Sequence, residues 1–113
     1  MKIEEWQEKV DKWIKEYGVR YFDVLTNTLL LSEEVGEFSR LIARQYGEQS
    51  FKQGLTEAEV QNQIKEEIGD IIFVVTCLAN QMDISLDEVL DQNIRKKTDR
   101  DFERHLQNQK LKG

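Results

Sequence analysis

The chain has no proline, one cysteine, one histidine and fewer basic than acidic residues, and each of these removes a class of protein. Without proline no side chain locks φ or deletes an amide donor, so helices can run long. Cys77 alone cannot build an internal disulfide framework. Its neighbours Val74, Val75, Leu78 and Ala79 mark it as a buried structural thiol rather than a nucleophile. No apolar run approaches the ~20 residues that cross a bilayer, and Met1-Lys2-Ile3-Glu4-Glu5-Trp6 lacks the apolar core of a signal peptide. Sixteen Lys and Arg against 22 Asp and Glu leave a net charge of −6, which argues against nonspecific binding to nucleic acid or an anionic membrane. What remains is a cytoplasmic protein of one domain, residues 1–113, large enough for a single core.

The apolar residues recur with a helical period. Ile3, Trp6, Val10, Trp13, Ile14 and Tyr17 predict a first helix that stops at Gly18. A turn from Val19 to Asp23 leads into a second helix over residues 24–46, carrying Leu29, Leu30, Phe38, Leu41 and Ile42. Residues 47–55 are polar, contain Gly47 and Gly54, and read as a loop. Thr56-Glu57-Ala58-Glu59 is a capping-box pattern that opens a third helix to about Gln81. Ser85-Leu86-Asp87-Glu88 opens a fourth, through about Leu106, and residues 108–113 read as a frayed tail. No segment sustains the alternation of a strand; even Ile71 to Val75 sits inside a longer helical pattern. The expectation is an all-α, antiparallel four-helix bundle with the second and third helices facing each other. Ile71, Ile72, Phe73, Val74, Val75 and Leu78 give the third helix more apolar surface than such a bundle covers, so a homodimer or homotetramer is expected.

One hexapeptide is written twice. Glu33-Glu34-Val35-Gly36-Glu37-Phe38 returns as Glu66-Glu67-Ile68-Gly69-Asp70-Ile71. Residues three apart share a helix face, so Glu34 pairs with Glu37 and Glu67 with Asp70. Leu30, Glu34, Glu37 and Leu41 step at core spacing, as do Val60, Ile64, Glu67, Ile71, Val74 and Leu78. The acids therefore interrupt the apolar stripes instead of lying opposite them. Unpaired charge is too costly there, and a hard divalent cation is the natural partner. A solvated acidic face is the competing reading in a chain with 34% charged residues. The recurrence of a helix-weakening glycine in both copies favours the metal, and suggests two helices approaching closely at Gly36 and Gly69.

The kind of metal follows from the ligands. Di-iron bundles need Glu-x-x-His on two helices, but His105 stands alone near the C-terminus. Zinc would want histidine or cysteine. Four carboxylates favour Mg²⁺, with Mn²⁺ as a substitute. Magnesium commonly joins protein carboxylates to substrate phosphates, so cations should lie nearby. Lys96, Arg100 and Arg104 form an i, i+4, i+8 column with no acid at four residues' distance. Arg95 with Asp91 and Lys97 with Asp101 look like surface pairs. Because Asp99 and Glu103 can reach the same column, a solvated charged face is an equal alternative.

Glu33-Glu34-Val35-Gly36-Glu37, followed by Glu67-Ile68-Gly69-Asp70, resembles the E-E-x-x-E and E-x-x-D signature of MazG-like nucleoside triphosphate pyrophosphohydrolases of the short, single-domain kind. The resemblance covers roughly residues 17–104, with Tyr21-Phe22, Leu78-Ala79-Asn80 and Lys96 ahead of Arg100-Asp101 in agreement. It implies an all-α, Mg²⁺-dependent enzyme that cuts a nucleoside triphosphate between its α and β phosphates. Carried over, Glu34, Glu37, Glu67 and Asp70 are metal ligands. Glu33 and Glu66 become outer groups or the base for the attacking water, and Lys96 and Arg100 hold the triphosphate. The spacing between the acidic blocks is long, so the 47–55 loop could alter access. Tyr21 and Phe22 are the candidates for a base-stacking surface; Trp6 and Trp13 read as core or interface. A dedicated dCTP, dUTP or phosphoribosyl-ATP hydrolase shares this chemistry, and a non-catalytic helical module that binds a cation is the reading from another class.

Overall fold

The computed structural model describes residues 1–48 and 54–112. Its four main helices are α1 (Ile3–Tyr17), α2 (Val24–Tyr46), α3 (Glu57–Gln81) and α4 (Leu86–Lys96), and no strand occurs among the described residues. The helix starts are chemical. Asp23, Thr56 and Ser85 each accept a hydrogen bond from the backbone amide three residues on, at 2.7, 3.1 and 3.3 Å, which satisfies an amide the helix cannot. At the end of α1 Gly18 donates to the Ile14 carbonyl at φ −90, and Val19 takes the left-handed backbone at φ 70. Residues 49–53 of the expected loop lie outside the described residues, while Gly47 ends α2 and Gly54 turns at φ 91.

Helices α2 and α3 pack along their length. They run antiparallel, since Asn27 near the start of α2 bonds Gln81 at the end of α3, and Tyr46 at the end of α2 meets Gln61 near the start of α3. Helix α1 lies against α3 and touches α4. Val10, Ile14 and Cys77 form a buried cluster, with Trp6, Tyr21 and Phe73 packed around it. Its polar edges are satisfied. Trp6 Nε1 donates to Thr76 Oγ1 at 2.7 Å, and the Gln7 and Asn80 side chains bond each other, with Gln7 also tying down Ile84 and Leu86. Burial pushes the Cys77 thiol up to about 11, consistent with an inert core residue.

The fourth helix departs from simple continuation. The chain turns by 107° between α3 and the segment Leu86–Gln107, so this segment leaves the bundle as an arm rather than closing it. The arm is not one α-helix. A π turn, Lys97–Asp101, separates α4 from α5 (Phe102–Gln107), and such a turn rotates every following residue relative to the preceding face. The expected column of Lys96, Arg100 and Arg104 is therefore broken. Arg104 bonds Asp101 at 3.0 Å, which leaves the expected Lys97–Asp101 pair unformed among the described ion pairs, while Asp91 does pair with Arg95. The tail is more ordered than fraying predicts, since Gln109–Leu111 forms a 3₁₀ turn capped by Asn108. Gly36 and Gly69 also differ from expectation. Both are exposed, and a Cβ on either would meet nothing within 4 Å, so neither marks the helix–helix contact.

Candidate active site

The α2–α3 seam brings the two copies of the hexapeptide together. Carboxylate oxygens of Glu34, Glu67 and Asp70 all lie within 4.8 Å of one another. Glu34 and Glu67 are half-buried and Asp70 is exposed. Both Glu34 Oε2 and Glu67 Oε2 are buried without a hydrogen-bond partner, which is costly for a carboxylate. The Glu67 carboxyl is accordingly raised to about 8. The facing Glu34 carboxyl contributes most, then burial, then the Glu37 carboxyl. Glu37 thus approaches Glu67 without joining the tight group of three. Converging hard oxygen donors with orphaned lone pairs are what a divalent cation such as Mg²⁺ requires, and the residues present fit one.

The seam changes chemistry on either side of these acids. One turn before Glu34 and one turn after Asp70, an apolar cavity of about 290 Å³ opens, lined in part by Leu30, Phe73, Trp13, Tyr21 and Phe22. The Tyr21 hydroxyl is fixed at its edge, donating to Asp11 at 2.6 Å and accepting from Asn80 at 3.1 Å. Burial, followed by the Asp11 hydrogen bond, raises its pKa. Tyr21 and Phe22 therefore share one pocket. Trp13, which periodicity alone assigns to core or interface, joins them there and meets Phe73 edge-on at 5.7 Å. Beyond Glu37, toward the end of α2, a cleft of about 310 Å³ is walled by Glu37, Arg40, Leu41, Arg44, Leu55, Gln63 and Glu67. The sequence reading passes over Arg40 and Arg44. The signal was available, because Leu30, Glu34, Glu37 and Leu41 continue to Arg44 in the same three-and-four steps.

The remaining predicted residues are not gathered here. Glu33 and Glu66 are exposed, and Glu66 accepts from Asn62 Nδ2 at 3.3 Å on its own helix. Lys96 and Arg100 are exposed on the arm, which packs on α1 rather than α2, and neither lines the cleft. His105 lies on the arm, in a groove with Ile94, Phe102 and Leu106.

Among the described residues the chain is all-helical, its central pair of helices carries E-E-x-x-E opposite E-x-x-D, and Glu34, Glu67 and Asp70 converge, which defines a carboxylate-centred helical class. The chain belongs to the MazG family: residues 22–105 match the MazG nucleotide pyrophosphohydrolase domain. It is 40% identical over 98 residues to the uncharacterized protein YpjD of Bacillus subtilis strain 168, covering 87% of this chain and 85% of that one. The crystal structure of Bacillus subtilis YpjD is similar with a TM-score of 0.74 at 36% identity, over 85% of this chain and 94% of the other. A Bacillus-conserved MazG protein, a nucleotide pyrophosphohydrolase, follows with a TM-score of 0.69 at 30% identity, over 85% and 88% of the two chains.

Proposed function

We propose that this protein is a Mg²⁺-dependent nucleoside triphosphate pyrophosphohydrolase, with Mn²⁺ able to substitute. It converts nucleoside or deoxynucleoside triphosphates to monophosphate and pyrophosphate and clears unwanted triphosphates from the cytoplasmic pool. The observation that carries this reading is the convergence of Glu34, Glu67 and Asp70 within 4.8 Å, with two buried oxygens left unsatisfied. Glu34, Glu37, Glu67 and Asp70 hold the metal in this reading. When bound, the metal polarises phosphoryl oxygens and offsets their charge. Glu33 and Glu66, exposed beside their clustered neighbours, are outer groups or the base for the attacking water in this reading. The aromatic cavity of Tyr21, Phe22 and Trp13 receives the base, a short helical step from the acids. A flat, apolar lining suits a nucleobase face.

Lys96 and Arg100 hold the triphosphate in this reading by reaching it from the arm of a second copy. A homodimer or homotetramer is supported by the shape of the chain. Its radius of gyration is 17.9 Å, against about 13 Å for a compact monomer of this length. Its accessible surface is 9171 Å², where a folded monomer of this mass exposes about 6,500 Å². The excess is on the scale of an obligate subunit interface. It includes Ile68, Ile72 and Val75 on α3 and Ile94, Phe102 and Leu106 on the arm.

The test is turnover of a panel of ordinary and modified triphosphates with Mg²⁺ in ¹⁸O-water, read by phosphorus NMR. The expected products are labelled monophosphate and unlabelled pyrophosphate. Orthophosphate with diphosphate as first products, or no turnover of any triphosphate, overturns the reading.

A further inference from the structure

The cationic cleft beyond Glu37 has no role in the reading above. Arg40 and Arg44 lie one turn apart on α2, and neither forms an ion pair among the described residues. They face the same cleft as Gln63 on α3, and that cleft shares Glu37 and Glu67 with the metal-binding acids. Arg40 is exposed and Arg44 half-buried, so both guanidinium groups are open to an anion in the cleft they share with Glu37 and Glu67. An anion that touches both the metal and the arginines accounts for the arrangement.

The order of chemistry along the seam fixes a direction. On α2 it runs from Asn27 and Leu30, through Glu34 and Glu37, to Arg40 and Arg44; on α3 it runs from Cys77 and Phe73, through Asp70 and Glu67, to Gln63. Apolar cavity, acids and cationic cleft follow one another at successive helical turns, about 5 Å apart. A nucleoside triphosphate has the same sequence of parts: a flat apolar base, a phosphate at the reacting centre, then two more phosphates.

We propose that the cleft of Arg40, Arg44 and Gln63 is the seat of the leaving pyrophosphate, with the two guanidinium groups gripping the β and γ phosphates. This rests on the pyrophosphohydrolase reading. Water oxygen bonds to the α phosphorus, and the bond from that phosphorus to its oxygen bridge to the β phosphate breaks. The bridging oxygen keeps the electron pair, and the water proton passes to Glu33 or Glu66. Negative charge thus grows on the group the arginines hold. Guanidinium forks match phosphate oxygens two at a time, which an ammonium cannot do.

The experiment compares wild type with Arg40→Ala, Arg44→Ala and the two lysine replacements, with Mg²⁺ present. Calorimetry measures binding of inorganic pyrophosphate and, separately, of a nucleoside monophosphate; circular dichroism checks helicity. The alanine variants should weaken pyrophosphate binding by roughly tenfold or more and leave monophosphate binding within about twofold, the lysine variants falling between. They should also lower kcat more than they raise KM, because the contact strengthens as the bond breaks. Unchanged pyrophosphate binding in both alanine variants overturns the proposal. So does an equal loss of pyrophosphate and monophosphate, which would mean general collapse of the seam. If an alanine variant does not fold, its lysine counterpart reads the same constants. Absence of turnover by wild type would count against the pyrophosphohydrolase reading alone, since arginine-dependent pyrophosphate binding is measured independently.

Discussion

Glu67 concentrates the electrostatic cost of the site. Its carboxyl is raised from 4.5 to about 8 by Glu34, burial and Glu37. Below pH 4.5 the folded and unfolded chains are both protonated there, and nothing is lost. As pH climbs from 4.5 to about 8, the unfolded chain releases a proton that the folded chain keeps, so metal-free stability falls; above that window the loss is complete. Glu67→Gln should flatten this dependence, and melting of chelator-treated wild type and variant from about pH 5 to about pH 9 checks it. Parallel curves would refute the assignment. Metal affinity should run the other way and rise across the window, because binding requires the ionised carboxylate. Glu37→Gln or Asp70→Asn should abolish hydrolysis while helicity persists. Loss of mutual repulsion should hold or raise the melting temperature of the metal-free chain, and full activity in either variant would remove these acids from the site.

At the scale of elements, caps and periodicity are local and were legible. Asp23, Thr56 and Ser85 start helices where the sequence places them. The exceptions are backbone details. Gly18 ends α1, but the left-handed position falls on the next residue, the exposed Val19. A β-branched residue is strained there, so Val19→Gly should stabilise the protein by about 1 kcal/mol, measured by urea melts. An unchanged midpoint would show that the strain is absent. Gly36 and Gly69 have open space where a Cβ would sit, so Gly36→Ala and Gly69→Ala should each add about 1 kcal/mol of helix propensity. Loss of stability together with loss of assembly would show instead that another copy packs on that face. The π turn at Lys97–Asp101 was illegible, because a single extra residue in a turn leaves the 3.6-residue pattern intact over most of its length.

At the scale of the whole molecule, the chain exposes more surface than is usual for a folded chain of this mass. The protein should sediment as a dimer or tetramer at micromolar concentration, and Phe102→Asp or Ile72→Asp should shift it toward monomer. Sedimentation of wild type as a monomer with metal bound would defeat the argument from burial. If the arm of a second copy brings Lys96 and Arg100 to the phosphates, the monomeric variants should also lose turnover while keeping metal affinity.

Sequence by itself determined the helical elements and the acids on the α2 and α3 stripes, whose residue types suit a hard cation. Each of these depends on residues within a few turns of one another, and side-chain direction on a helix follows from spacing alone. Only the tertiary structure decided which stripes meet. Antiparallel packing of α2 on α3 set Glu34 against Glu67 and Asp70, seated Trp13 beside Tyr21 and Phe22, and opened Arg40 and Arg44 onto the cleft with Gln63. It also carried Lys96 and Arg100 away on the arm. Those outcomes depend on crossing geometry and on one turn between helices, which a periodic pattern does not encode.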